Sequence, residues 1–300
     1  MSRKSISSEE KNAVVGGTLY LVSTPIGNLS DLSERAVKIL GEVDFVAAED
    51  TRNTGKLLSC IEVSRPMVSY HEHNKREAGE RILARLLAGE SCALVSDAGT
   101  PAVSDPGEDL VARCAENGVP VTSVPGCCAA ITALALSGLS TARFIFEGFL
   151  PVDRPRRRER LALLAEQSAT MILYEAPHKL RGTLDDLAAV LGAERRVALC
   201  RELTKRNEEI FRTTLGEAVI YYREAEPRGE YVLVLEGGKN TPVRGDIAER
   251  AALSPAEHVA YFEGTGLSRM DAIKAAAKER GIPKNQLYKM LCEEKDENSR

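Results

Sequence analysis

The stretch SDAGTPAVSDPGEDL, residues 96–110, places small residues, prolines and Asp97 directly after an apolar run. Such a loop at a strand's C-terminal end lets a ligand approach the backbone closely. Asp97 can accept a hydrogen bond there, and a helix starting near Pro106 offers free N–H groups. A plain strand-to-helix connection has the same composition and is the commoner meaning of one such loop. Two more loops of this kind occur, STPIGNL (23–29) and VPGCCAA (124–130), each after a strand-like run. In a parallel sheet the three strand ends lie along one edge, where open α/β folds bind ligands. No GxGxxG follows the first strand, which speaks against a dinucleotide fold and against methyltransferases with a glycine-rich first loop.

Three clusters carry groups able to move protons: Glu49, Asp50 and Arg52 in AEDTR; His71 and His73 in SYHEHN; Glu175, His178 and Lys179 in YEAPHKL. The first and last follow strand-like segments, so they are expected near the same cleft. Each has a plainer reading. AEDTR also reads as a capped helix start with a local ion pair, and His178 as a solvated residue at a helix start. The two histidines lack further ligands at suitable spacing, so no metal is expected. A buried carboxylate at Glu175 would need a partner.

The run DRPRRRER (153–160) holds Arg154, Arg156, Arg157, Arg158 and Arg160. Clustered arginines grip nucleic-acid phosphates with salt-sensitive affinity. The bland alternative is a solvated helix face paired through Asp153 and Glu159. Lys205, with Arg201, Arg206 and Arg212, extends the basic set. Aromatics make up only 5% of the chain, so no base-stacking platform is evident.

Strand-like and helix-like segments alternate throughout, which predicts an α/β fold of two α/β domains with a small helical appendage. Expected strands are TLYLVS, VDFVAA, SCALVS and PVTSV, then FIFEGF, TMILYE, RRVALCR and EYVLVLEGG. The helix SDLSERAVKILG is expected to be capped by Asp31 with Glu34 and stopped at Gly41. GCCAAITALALSG reads as a largely buried helix closing the first domain, and a short helix is expected between RRVALCR and EYVLVLEGG. The divisions are a disordered lead (1–17), an N-terminal α/β domain (18–138), a C-terminal α/β domain (139–238), a linker (239–253) and a helical tail (254–300). From Gly266 that tail reads as two helices broken at Gly281-Ile282-Pro283.

The chain has 300 residues, 43% apolar and 28% charged, with no stretch long and apolar enough to span a bilayer. Its lead lacks the apolar core of a secretory signal, and the odd number of cysteines contains no CxxC pair, so a cytoplasmic location is expected. The net charge of −4 argues against indiscriminate coating of nucleic acid but not against a local basic patch.

The ordered set TPIGNL, AEDTR, SDAGTPAVSDPG, VPGCCAAITAL, FxGFLP, YEAPHKL and RELTK resembles the tetrapyrrole methylase superfamily. More closely it resembles that superfamily's small-subunit ribosomal RNA methyltransferase I branch, over about residues 17–238. The resemblance implies S-adenosylmethionine in the cleft between two α/β domains, usually in a homodimer. It also implies 2′-O-methylation of a cytidine in the decoding region of 16S ribosomal RNA, so the expected partner is that RNA or the assembled small subunit. By the same resemblance, cofactor contacts fall on Pro25 and Gly27, then Asp97, Gly99, Thr100, Pro101 and Val103. Cys127, Cys128 and Ala129 follow, with Ala176, Pro177, Gly229 and Glu230 from the second domain. Tetrapyrrole-modifying members carry a shorter GGDP-like loop in place of AGTPAVSDPG, which pulls the expectation toward RNA. Two alternatives remain: a small-molecule methyltransferase acting on a tetrapyrrole carbon, and a non-catalytic protein binding RNA or the cofactor.

Overall fold

Five short apolar segments, β1 (Leu19–Val22), β2 (Phe45–Ala48), β3 (Met67–Ser69), β4 (Cys92–Val95) and β5 (Val121–Val124), pair in the order β3-β2-β4-β1-β5. Every pairing is parallel, and such sheets are covered on both faces. The two-residue period sorts side chains between the faces. Leu19, Phe45, Cys92 and Leu94 meet α3 (Lys75–Leu87) and α4 (Glu108–Glu116). Their neighbours Tyr20, Val46, Ala93 and Val95 meet α1 (Glu34–Glu42) and α2 (Thr51–Cys60). The computed structural model describes residues 13–238, 253–264 and 267–297, the last six by backbone alone.

The second sheet contains β6 (Phe144–Phe149), β7 (Thr170–Glu175), β8 (Arg196–Arg201), β9 (Glu209–Thr214) and β10 (Tyr231–Leu235), in the order β6-β7-β10-β8-β9. Only β6 and β7 run parallel; β10 is antiparallel to both neighbours, as β8 is to β9. On one face, α6 (Arg154–Ala165), α7 (Pro177–Leu191) and α8 (Leu215–Glu224) place Leu161, Leu180, Leu184 and Leu215 against Met171, Leu173, Leu199 and Leu233. The other face is covered by α5 (Ala129–Ser137), whose Ala130, Ala133 and Leu134 pack on Ile172, Ala198, Val232 and Val234. The helix expected to close the first domain therefore packs on the second sheet. Both sheets belong to one compact unit that ends at Gly237.

Leu233 is fully buried on the central strand of that sheet. Leu233→Ala is expected to cost about 2–5 kcal/mol of stability through lost burial and a residual cavity. Urea unfolding should show a lower midpoint at an unchanged slope. A wild-type midpoint would contradict this account of the core.

Several elements differ from expectation. Ser33, not Asp31, caps α1 by accepting from the Ala36 N–H at 3.1 Å, while Asp31 ends a 3₁₀ turn, and Gly41 lies inside the helix. Sheet-edge strands β3 and β9 were not expected. Residues 13–17 are tied in rather than free: the Gly17 N–H donates to the Glu90 carbonyl and the Val15 N–H to the Tyr20 hydroxyl. The remainder of the lead (1–12) and nearly all of the expected linker (239–252) lie outside the described residues.

The unit spanning Gly238–Arg300 contains α9 (Pro255–Gly264), α10 (Arg269–Glu279) and α11 (Lys284–Glu297). The last two are the expected pair; α9 is additional. Val259, Ile273, Ala276 and Leu287 form their own small core. Gly281, at φ +66°, takes the left-handed conformation that ends α10. No described helix is long and apolar enough to cross a membrane.

Candidate functional site

Because β1 lies between β4 and β5, their three C-terminal loops are neighbours. They are tied together. Thr24 and Gly99 exchange backbone hydrogen bonds at 2.9 and 3.1 Å, joining the β1 and β4 loops. The Thr100 hydroxyl donates to the Cys127 carbonyl at 3.0 Å, joining the β5 loop, and lies 3.0 Å from the Ser23 hydroxyl. Gly99 has φ +88°, and a Cβ there would stand 3.3 Å from the Ile26 side chain. This is the close approach that the small residues of the loop permit.

These loops form one wall of a cavity of about 500 Å³, and the second sheet supplies the other wall. From the β4 loop Asp97, Gly99, Thr100 and Val103 face it, joined by Cys128 and Ala129 at the start of α5. Glu175, Ala176, Pro177 and His178, at the β7–α7 junction, close the far side with Glu230. Glu49 lines it as well. Of the other residues expected to contact a cofactor, Pro25, Gly27, Pro101, Cys127 and Gly229 are not in the lining. Pro101 is buried in its loop, and Gly27 lies beneath Lys205, whose Cγ a Cβ at that position would meet at 2.3 Å.

Four lining groups were not foreseen: Asp105, Tyr174, Glu202 and the apolar set Ile26, Phe149, Leu203 and Val232. Asp105 was visible within the SDAGTPAVSDPG loop, and Tyr174 immediately before Glu175. The Tyr174 hydroxyl accepts from the Ala130 N–H at 3.2 Å, so it binds α5 to β7 across the cavity floor. Burial pushes that phenol up to about 12.

Asp50 and Arg52 serve another purpose. Asp50 caps α2, accepting from the Arg52 N–H at 2.8 Å and from its guanidinium at 2.6 and 3.0 Å. That bond holds the Asp50 carboxyl down at about 2. The plainer reading of AEDTR accounts for these two residues, whereas Glu49 lines the cavity. His71 and His73 stand edge to face, 5.9 Å between ring centres, and neither lines the cavity.

Apart from Glu175, the cavity's carboxylates divide into two groups. Glu49 accepts from the Asp97 N–H, but burial and the Asp97 charge raise its carboxyl above the ordinary value. Asp105 is pushed up to about 6, first by burial and then by the Glu49 and Asp97 charges. Opposite them, the Lys205 ammonium bridges Glu202 at 2.8 Å and Glu230 at 2.6 Å. Burial alone would raise the Glu202 carboxyl, but its hydrogen bonds to Lys205 and the Glu230 N–H outweigh this and hold it below the usual range. Lys205, expected on an RNA-binding surface, therefore lies in the cavity wall, neutralised on both sides.

The arginine run also divides. Arg154, Arg156 and Arg158 are exposed and form no ion pair among the described residues. Arg157 turns inward to Asp186 and Thr183, at 2.7 and 2.8 Å, and Arg160 pairs with Glu147. Among the extending residues, Arg201 pairs with Glu209 at 3.2 Å and Arg212 donates to the Leu136 carbonyl; Arg206 is exposed.

Residues 18–219 match the family of tetrapyrrole (corrin/porphyrin) methylases. The chain is 48% identical, over 93% of its length and 96% of the relative's, to the ribosomal RNA small subunit methyltransferase I of Halalkalibacterium halodurans. It is 46% identical to the protein of the same name from Synechocystis, over 92% of this chain and 98% of that one. Among solved structures, it is similar to a uroporphyrin-III C-methyltransferase from Thermus thermophilus complexed with S-adenyl homocysteine. The TM-score is 0.53 at 20% identity, covering 73% of this chain and 97% of that one. At that identity the likeness concerns the fold. Matched by one family over most of its length and by full-length relatives of a single name, the chain belongs to the tetrapyrrole methylase family and, within it, to the ribosomal RNA small subunit methyltransferase I group.

Proposed function

We propose that this chain transfers a methyl group from S-adenosylmethionine to the ribose 2′-hydroxyl of a cytidine in the decoding region of 16S ribosomal RNA. The observation that carries the reading is similarity over more than nine tenths of both chains to relatives named for methylating small-subunit ribosomal RNA. The ribose hydroxyl, the cytidine and the homodimeric state rest on the family resemblance.

The cavity fits the cofactor. Its volume of about 500 Å³ suits a nucleoside-sized ligand. Ile26, Val103, Leu203 and Val232 offer apolar cover for a purine, and Asp97 offers acceptors to ligand N–H and O–H groups. The unpaired negative charge of the β4 side suits a sulfonium and an α-ammonium. When bound, S-adenosylmethionine supplies an electrophilic methyl group.

The protein's part is to orient the acceptor, exclude water and take its proton. A ribose hydroxyl is a poor nucleophile and benefits from a base with a pKa near the working pH. In this reading the base is Asp105, whose carboxyl is raised to about 6 by burial and by the Glu49 and Asp97 charges. The hydroxyl proton passes to the Asp105 carboxylate, which lines the cavity. Arg154, Arg156 and Arg158 on α6 hold RNA phosphates.

Two tests follow. Purified protein is given labelled S-adenosylmethionine with undermethylated small ribosomal subunits or, separately, with a reduced tetrapyrrole. Label is expected in the RNA alone; label in the tetrapyrrole alone would favour the small-molecule alternative. Replacing Arg154, Arg156 and Arg158 together with alanine should weaken RNA binding and flatten its salt dependence by a log–log slope of about 2. Affinity for S-adenosyl homocysteine should hold. An unchanged salt slope would remove these arginines from the RNA surface.

A further inference from the structure

Arg157 belongs by sequence to the arginine run, yet its guanidinium points to the protein interior and only 18% of its side chain is exposed. Its Nε donates to Asp186 Oδ2 at 2.7 Å and its Nη2 to Thr183 Oγ1 at 2.8 Å. Thr183, 1% exposed, donates in turn to Glu175 Oε2. The direction of this chain is fixed. A guanidinium only donates, so it occupies a lone pair of the Thr183 oxygen and leaves the single hydroxyl proton for Glu175. The other Glu175 oxygen accepts from the Ala176 N–H at 2.9 Å, which closes the turn from β7 into α7.

Glu175 is 4% exposed and lines the cavity. A carboxylate offers about four lone-pair sites, and the Ala176 and Thr183 bonds use two of them. The rest are available to N–H or O–H donors of a bound ligand. A carboxylate this deeply buried is costly without compensation, and the nearest compensating cation in the network is Arg157, acting through one hydroxyl.

We propose that Arg157 is a positioning residue of the methyl-transfer cavity. Through Thr183 it orients the Glu175 carboxyl group, so that Glu175 accepts hydrogen bonds from the cofactor. Within one turn of α6 the run thus has two functions: Arg154, Arg156 and Arg158 face outward, whereas Arg157 supports the cavity wall. The proposal rests on reading that cavity as the S-adenosylmethionine site.

The test is titration calorimetry of the full-length protein with S-adenosyl homocysteine, alongside RNA binding and steady-state kinetics. Arg157→Ala and Thr183→Val should each weaken cofactor binding about tenfold, the scale of one hydrogen bond to a charged group. KM for the cofactor should rise more than kcat falls. Thr183→Ser, which keeps the hydroxyl, should restore wild-type affinity, and Arg157→Lys should restore part of it. The double variant Arg157→Ala/Thr183→Val should be no weaker than the poorer single variant, because both break one chain. RNA affinity should stay within about twofold of wild type.

Equal cofactor affinity in Thr183→Val and wild type would overturn the proposal, and this variant decides the matter even where Arg157→Ala fails to fold. So would loss of RNA affinity with cofactor binding intact in Arg157→Ala, which would make Arg157 an RNA contact. Failure of the wild-type protein itself to bind S-adenosyl homocysteine would instead overturn the reading of the cavity, and this proposal with it.

Discussion

Asp105→Asn is expected to lower kcat for methyl transfer about 10²–10⁴-fold at pH 7.5, the usual contribution of a positioned general base. The change keeps the size of the side chain and removes its ability to take a proton. The wild-type rate should rise with pH through about 6, where Asp105 loses its proton, and level off above. In the variant that rise should disappear. Glu49→Gln provides the control: removing one neighbouring negative charge should move the rise to lower pH with a smaller loss of rate. An Asp105→Asn enzyme with wild-type kcat would assign the proton to another group.

The same group predicts a stability effect of definite sign. Folding raises the Asp105 carboxyl from its ordinary 3.8 to about 6, so between these values the folded state binds more protons than the unfolded one. Stability therefore falls as pH rises through that window, and at neutral pH the charged Asp105 works against the fold. Asp105→Asn should raise the melting temperature at pH 7.5 and leave it nearly unchanged at pH 4. A functional group held at a cost to stability is common in active sites. An equal rise at both values would indicate repacking instead of charge removal.

Gly99→Val should weaken S-adenosyl homocysteine binding at least about thirtyfold, through both strain and overpacking. At φ +88° a β-branched residue is in a region that L-residues avoid. Its Cβ would stand 3.3 Å from Ile26 Cγ2 and 3.6 Å from the Cys127 carbonyl oxygen, leaving no room for two more methyl groups. The Thr24–Gly99 hydrogen bonds that join two of the three loops would distort as well. Gly118 provides the contrast: it too has positive φ, at +69°, but a Cβ added there would meet nothing within 4 Å, and it lies away from the cavity. Gly118→Ala should retain full cofactor affinity. Equal affinity in Gly99→Val and wild type would separate this loop from cofactor binding.

The legible parts of the fold are those where burial is symmetrical. β4 is an apolar run closed by small residues and prolines, and six residues of its loop line the cavity, among them Asp97, Gly99, Thr100 and Val103, four of the five that the family resemblance implied there. Edge strands are different. β3 has three residues, and β9 (EIFRTT) has only two apolar residues and none that is fully buried, so neither carries the signature of a covered strand. For α5 the difficulty is the reverse: a helix apolar on most sides does not declare which sheet it covers. Arg157 resisted reading because its partners lie on α7, 26 and 29 positions away, while a dense run of like residues suggests one shared face. Asp105 lay inside the most informative loop, yet its raised carboxyl depends first on burial, which folding creates, and then on the charge of Glu49, brought beside that loop by adjacency of β2 and β4.

The central claim is tested most directly by the chemical identity of the methylated product. Small ribosomal subunits from a strain lacking the native modification would be incubated with the protein and isotopically labelled S-adenosylmethionine. The RNA would then be digested to nucleosides and the labelled species identified by mass spectrometry. The expected product is a single 2′-O-methylcytidine, with the label on the ribose fragment and the site in the decoding region. Label on a base, or no label in RNA from a protein that binds the cofactor, would contradict the account.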